Sequence, residues 1–278
     1  MCFFATKSSM KIRMKRKLAV VLLICISCHI GWAAQDFVWK SGQKMKVVCD
    51  TTEASVVKVA LDLLKRDCRS VLSGEISRSE STGNIYVGTW GESSVLQALA
   101  DTRQLDVAQL DEHKEAFLLN VLPDGRLVVA GSDKRGTAYG VLELSRMMGV
   151  SPWEWWADAV PEKKEEFRLP AGFRKLDYPQ VAYRGIFIND EDWGLTPWSW
   201  KHYEPSERKG QIGPKTHARI FELLLRLRAN TFWPAMHECS IPFFFTEGNK
   251  EMADKYAIYL GTSHCEPMMR NTNGEWKM

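Results

Sequence analysis

Residues 183–193 read YRGIFINDEDW, a short apolar run that ends in one amide, three carboxylates and a tryptophan. The run has the length and β-branched content of a strand in a parallel sheet, which is buried on both faces. Side chains at the carboxyl end of such a strand, here Asn189, Asp190 and Glu191, stand where α/β folds place functional residues. The stretch therefore predicts a buried parallel strand that delivers polar groups to a site.

Two further strand-and-helix units follow. Pro214 opens a helix with apolar residues at helical spacing, and residues 230–233 form the next strand. A helix capped by Asn249 and closed by Gly261 then precedes a third strand at residues 262–267.

Each of these strands ends in polar residues. His237 and Glu238 follow the second strand, and His264 and Glu266 lie in the third. Because carboxyl ends of parallel strands share one edge, the three sets ring one site. The pattern predicts the first three units of an incomplete (β/α)8 TIM barrel over residues 181–278.

Residues 35–160 predict a small N-terminal α/β domain. Its turn residues Pro123-Asp124-Gly125 join a hairpin, Thr51 or Thr52 caps a first helix, and a helix over 134–148 ends at Gly149. Residues 161–180 are charged and rich in turn formers, so we place a linker there.

Two motifs in this domain allow two interpretations each. Gly131–Gly136 links a strand to a helix and suggests phosphate binding, but its spacing fits no nucleotide fingerprint, and Asp133 as a helix N-cap is the simpler interpretation. The aromatic-rich run Ser151–Asp158 is either a sugar-stacking platform or, as we favour, a plug between domains.

Residues 1–34 predict a secretory signal peptide, with a basic cluster, an apolar run too short to span a membrane and small residues near a cleavage site. This segment holds six of the 37 basic residues and no acid. The remainder has 31 basic against 34 acidic residues, a formal net charge of −3, which removes support for nucleic-acid binding. We expect a secreted or periplasmic protein without lipid attachment at Cys28.

Four cysteines remain after this segment: Cys49, Cys68, Cys239 and Cys265. Their scattered positions allow disulfides or buried thiols. His237 does not belong to a His-Glu-x-x-His motif, because Ile241 holds the last position. No metal or other cofactor is predicted, although His237, His264 and Cys265 could still meet in space.

Three segments carry a family resemblance. The opening of the catalytic barrel of family 115 glycoside hydrolases is similar to three segments of this chain, Tyr183–Trp193, Arg226–Glu238 and Ser263–Met268. The N-terminal α/β domain of that family is similar to two more, Gly131–Gly140 and Trp153–Asp158. The resemblance implies an inverting α-1,2-glucuronidase that removes glucuronic acid or its 4-O-methyl form from xylan.

The resemblance implies that Asn189, Asp190, Trp233 and His264 contact the sugar, and strand-end position adds Glu191, His237, Glu238 and Glu266. A complete barrel needs about 250 residues, more than residues 183–278 supply. We therefore expect a truncated chain, inactive alone, with its catalytic acid and base beyond residue 278. The alternatives are a non-catalytic carbohydrate-binding module and, with less support, a metal-dependent hydrolase. The oligomeric state is not predictable from these residues.

Overall fold

The computed structural model describes residues 33–189 and 192–262. The predicted signal peptide, apart from its last two residues, lies outside these ranges, as do Asp190, Glu191, His264, Cys265 and Glu266. The chain from Gln35 onward forms one compact unit. None of the helices in the described ranges has the length and apolar content that a membrane crossing needs.

A six-stranded mixed sheet forms the first half of this unit. Four neighbouring strands are parallel, and two further strands, joined by antiparallel pairing, complete one side. The predicted hairpin turn is confirmed, with Gly125 at φ +81°. In chain order, the strands are β2 (Lys44–Val48), β3 (Glu75–Ser79), β4 (Ile85–Thr89), β5 (Phe117–Val121), β6 (Leu127–Gly131) and β8 (Arg174–Asp177). Side by side in the sheet, their order is β3-β2-β4-β6-β5-β8.

Three helices cover this sheet: α1 (Ser55–Leu72), α2 (Ser94–Asp101) and α3 (Lys134–Met148). The predicted bounds of α3 and its end at Gly149 are confirmed. The predicted cap of α1 is wrong, because Ala54 holds the N-cap position and no side chain caps the helix. Leu64 of α1 and Tyr139 of α3 are buried in the core between helices and sheet.

The predicted linker contains regular structure. Strand β7 (Glu166–Leu169) pairs antiparallel with β1 (Phe37–Lys40), and β8 pairs with β5. Residues 161–180 are therefore not an irregular connection, which corrects the sequence-based description. Short strands rich in charge, such as Glu-Phe-Arg-Leu, lack the apolar content by which strands are recognised. The division into two domains remains a prediction.

A second sheet of three parallel strands follows, in the spatial order β11-β10-β9. Its strands are β9 (Gly185–Phe187), β10 (Thr231–Trp233) and β11 (Tyr259–Leu260). Its helices are α4 (Leu195–Trp198), which continues into a π-helical turn at Ser199–Tyr203, then α5 (Pro214–Arg226) and α6 (Asn249–Lys255). Two 3-10 turns, Ala108–Leu110 and Phe243–Phe245, complete the described elements.

Two predictions for this sheet need correction. Strand β9 is parallel as predicted but not buried, because all three of its residues are exposed at an edge of the sheet. The third described strand lies at Tyr259–Leu260, where the sequence predicts helix, and the predicted strand at 262–267 lies outside the described residues apart from Thr262. Ala257 adopts φ +54° and stops α6 before Gly261, so the chain enters the strand earlier than the glycine suggested.

The helices cover one face of the second sheet. Phe232 points from β10 into an aromatic cluster with Phe221 and Phe243, and the buried ring of His217 lies among them. Asn249 does not cap α6 as predicted, since Gly248 is the N-cap. Its buried amide instead donates to the carbonyls of Ile212 and Phe243. The described residues thus form an α/β protein with two principal sheets, and the barrel remains a prediction.

Candidate functional site

The carboxyl ends of β9, β10 and β11 meet at one edge of the second sheet because all three strands are parallel. Asn189 lies two residues beyond β9 and is exposed. Trp233 ends β10, and His237 and Glu238 follow it. These four predicted residues therefore lie at or follow the carboxyl ends of two neighbouring parallel strands. The other four predicted residues, Asp190, Glu191, His264 and Glu266, lie outside the described residues.

Trp233 is held between two strands at this edge. Its ring lies 6.0 Å from that of Phe187 on β9, and 39% of the residue is exposed. A Cβ atom on Gly261, just after β11, would lie 2.0 Å from Trp233 Nε1. Only glycine therefore leaves room for the indole in this position. The half-exposed ring gives the edge an aromatic surface on which a sugar ring can stack.

His237 and Glu238 are both exposed in a turn after β10. The carbonyl of His237 accepts a hydrogen bond from Ser240 N at 2.8 Å, and its Nδ1 lies 3.5 Å from Cys239 Sγ. Imidazole and carboxylate groups in such a turn can donate and accept hydrogen bonds to sugar hydroxyls. Within residues 33–189 and 192–262, no cluster of three metal-ligating side chains occurs. The metal hypothesis depended on His264 and Cys265 and stays untested.

An open cavity of about 350 Å³ lies on the sheet face opposite to the helices. Phe187 and Trp233 are partners in the strand register, as are Gly185 and Thr231, so these side chains share one face. Tyr183 and Tyr259 extend the same aromatic surface, with ring centroids 5.8 Å apart. Sequence reasoning missed this face because a continuous apolar strand does not reveal which of its faces is covered.

A cluster of charged and amide side chains lies at the amino ends of the same strands. We call it the amino-end ion cluster, and it consists of Glu115, Arg135, Arg184 and Asn230. Arg184 Nη2 and Asn230 Nδ2 both donate to the Glu115 carboxylate, the latter at 2.8 Å. Arg135 Nη1 lies 3.6 Å from the same carboxylate. Glu115 belongs to the first sheet region, so the cluster fastens the second sheet to the first.

Arg135 extends this cluster toward β11. Its Nε donates to the carbonyl of Ala257 at 2.6 Å, and its guanidinium lies 3.9 Å from the centre of the Tyr259 ring. Asp133 accepts hydrogen bonds from the backbone N–H groups of Arg135 and Gly136, both at 2.9 Å. The N-cap interpretation of this loop is confirmed. A carboxylate occupies the helix N-terminus where a phosphate would bind, which argues against the nucleotide interpretation.

The aromatic run at residues 153–158 packs against the second half of the chain. Trp155 and Trp156 contact Trp198, which stacks on Tyr203 at 4.7 Å. Trp156 Nε1 donates to the carbonyl of Arg219 at 3.1 Å. These contacts support the plug interpretation for Trp155 and Trp156.

Cys49 and Cys68 are free thiols, and burial raises the pKa of each to about 12. Neither is a reactive thiolate at neutral pH. Cys265 lies outside the described residues, so a disulfide involving it remains untested.

Comparison with known proteins connects this site to carbohydrate enzymes. The sequence profile of glycosyl hydrolase family 115 matches residues 176–278. A solved 4-O-methyl-α-glucuronidase of family 115, with specificity for decorated arabinogalactans, is 60% identical at a TM-score of 0.83, covering 87% of this chain and 31% of that protein. No curated protein sequence matches the chain.

Two other solved structures are more distant. A family 20 exo-β-N-acetylglucosaminidase from Vibrio harveyi has 12% identity and a TM-score of 0.46, covering 82% of this chain and 33% of its own. A β-N-acetylhexosaminidase from Bacteroides fragilis has 14% identity and a TM-score of 0.45, covering 82% of this chain and 42% of its own.

Proposed function

The chain belongs to glycosyl hydrolase family 115, and from this premise we propose that it forms the sugar-positioning part of an α-glucuronidase. The 60% identity to a 4-O-methyl-α-glucuronidase, at a TM-score of 0.83 over 87% of the chain, is the observation that carries the proposal. Because the chain spans only 31% of that enzyme, the activity of the whole enzyme is part of the proposal.

The carboxyl-end edge supplies the groups for such a role. Trp233 offers a ring face to the apolar side of the sugar, while Asn189, His237 and Glu238 are exposed hydrogen-bonding groups at the same edge. We assign these residues to binding, together with Asp190, Glu191, His264 and Glu266. The three parallel strands would then be the first part of a TIM barrel, with the sugar at its carboxyl-end mouth.

An inverting mechanism requires a general acid and a general base, with their carboxyl groups about 6.5–9.5 Å apart. Among the four described residues assigned to the site, Glu238 is the single carboxylate, and one carboxylate cannot supply both the acid and the base. We therefore propose that these residues hold the glucuronic acid while other segments of the complete site supply the acid and base. On this proposal the 278-residue chain alone binds the sugar without hydrolysing the glycosidic bond.

Two polysaccharides are candidate substrates. The resemblance implied xylan carrying α-1,2-linked (4-O-methyl)glucuronic acid, whereas the solved relative has specificity for decorated arabinogalactans. Given the 60% identity, we propose uronate-decorated arabinogalactan as the first substrate and glucuronoxylan as the second.

Calorimetric titration of the chain with glucuronic acid and 4-O-methylglucuronic acid tests the binding role. Saturable binding that is lost in Trp233→Ala supports the proposal, and the absence of binding to either sugar overturns it. Chromatography of free uronic acid after incubation with each polysaccharide tests catalysis. Release by the chain alone would contradict the expected inactivity and show which polysaccharide is preferred.

A non-catalytic carbohydrate-binding module is the second candidate, and the aromatic face of Tyr183, Phe187 and Trp233 is the observation that favours it. A module would bind the polysaccharide backbone through these rings and tolerate an undecorated chain. Equal affinity for decorated and undecorated arabinogalactan would therefore favour the module over a glucuronidase site.

A further inference from the structure

A groove of about 440 Å³ lies at the far side of the first sheet, between α1 and the edge strand β3. Four exposed cations surround it: Lys65 and Arg69 on α1, Lys44 on β2 and Arg78 on β3. Its floor is apolar and includes Val47, which is 1% exposed. The groove is separate in sequence and in fold from the strand ends of the second sheet.

These four cations differ from most arginines of the chain. Arg66, Arg184 and Arg226 form ion pairs with acidic side chains. In the ranges that the structure describes, none of the four groove cations has a carboxylate within 4.0 Å. Their charge is therefore available to a ligand, and a concave surface concentrates that charge.

The groove also offers groups that bind hydroxyls. Asp62 and Glu75 lie in its wall and are exposed acceptors. Strand β3 ends the strand order of the sheet, so the outer side of its backbone also presents N–H and C=O groups. The ligand that fits is therefore an anion with many hydroxyl groups.

We propose that this groove is a second binding site, for the acidic polysaccharide, in which the cations bind uronate carboxylates and the acceptors bind sugar hydroxyls. A single-stranded nucleic acid fits less well, because none of the residues that line the groove is aromatic and bases would have no ring on which to stack. The choice of a uronate-bearing glycan rests on the proposed function. The site would hold a polymer on the protein while its decorations reach the strand-end edge.

Affinity electrophoresis of the full chain tests this site. Polygalacturonate is the probe, because it is a linear polyuronate, and unsubstituted galactan is the neutral control. We expect the double variant Lys65→Gln/Arg69→Gln to bind polygalacturonate about tenfold more weakly, since two charged contacts are lost. Lys209→Gln/Lys250→Gln removes the same charge at exposed residues elsewhere and should stay within about twofold of the wild type.

Three outcomes would overturn the site: equal weakening in both double variants, equal retardation by galactan, or tighter binding of a single-stranded oligonucleotide than of polygalacturonate. Thermal unfolding of each variant verifies that it is folded, and Arg78→Gln provides a second, milder variant. The part of the glucuronic acid titration that Trp233→Ala abolishes should be unchanged in the groove variants, because Trp233 does not line the groove. A failure of this site is therefore distinguishable from a failure of the proposed glucuronidase role.

Discussion

The amino ends and the carboxyl ends of the strands in the second sheet have opposite properties. At the amino ends, Glu115 accepts hydrogen bonds from Arg184 and Asn230 and is 7% exposed. At the carboxyl ends, His237 and Glu238 are exposed, and Trp233 leaves 39% of its surface open. At the amino ends, the polar groups join the two sheets. At the carboxyl ends, they are available to a ligand. The difference separates residues that maintain the fold from residues that can serve a site.

The largest expected effect is at the amino ends. Glu115→Ala removes the carboxylate that Arg184 and Asn230 share and leaves the Arg184 and Arg135 guanidinium groups without their common counter-charge. We expect the free energy of unfolding in urea to fall by about 3–5 kcal/mol. Glu115→Gln, which keeps the shape and loses the charge, should lie between this variant and the wild type. A loss below about 1 kcal/mol in Glu115→Ala would show that this edge does not hold the sheets together.

A second prediction concerns His217, which is buried on the helix-covered face of the sheet. Burial lowers the pKa of His217 from 6.5 to about 4, so the folded protein keeps this ring neutral. The corresponding stability is fully present above pH 6.5 and is lost as the pH falls toward 4, by roughly 3 kcal/mol. Unfolding free energies measured from pH 7 to pH 4 should fall less steeply in His217→Gln. Parallel curves for the two proteins would remove His217 from the acid sensitivity.

A third prediction tests how the open edge is shaped. Gly261→Ala places a Cβ where Trp233 Nε1 now lies, so the indole must move. We expect a stability loss of about 2 kcal/mol from overpacking and an approximately tenfold loss of glucuronic acid affinity. Gly194→Ala is the matched control, because its Cβ would meet no atom within 4 Å. Unchanged affinity in Gly261→Ala would show that the position of Trp233 does not matter for binding.

The smallest effect on stability is expected at Glu238. Because its side chain is exposed, Glu238→Gln should change the free energy of unfolding by less than about 0.5 kcal/mol. Glucuronic acid binding, measured by calorimetry, should nevertheless change if this carboxylate contacts the sugar. Unchanged binding together with unchanged stability would remove Glu238 from the site and leave Trp233 as its main described contact.

The sequence predicts elements best where local signals agree. Asp133, the helix period over 134–148 and Gly149 together place α3 correctly, because a cap, an amphipathic face and a stop coincide. Pro214 likewise marks the start of α5. The approach of three strand ends to one edge also follows from the sequence, since parallel strands separated by helices permit little else.

Other features depend on contacts that no local pattern contains. Ala257 adopts a left-handed conformation that glycine usually takes, so the helix end at Lys255 was missed in favour of Gly261. The exposure of β9 depends on which strands lie beside it. The amino-end ion cluster joins Glu115 to Arg184 across 69 positions, and nothing near either residue indicates the other.

The aromatic face of the second sheet has a practical consequence for work with this chain. Tyr183, Phe187 and Tyr259 expose 69%, 41% and 46% of their surfaces, next to strands with open edges in the described residues. Uncovered apolar faces and strand edges promote association between molecules. Recombinant protein should thus self-associate as its concentration rises, and a saturating sugar ligand in the purification buffer should improve its yield.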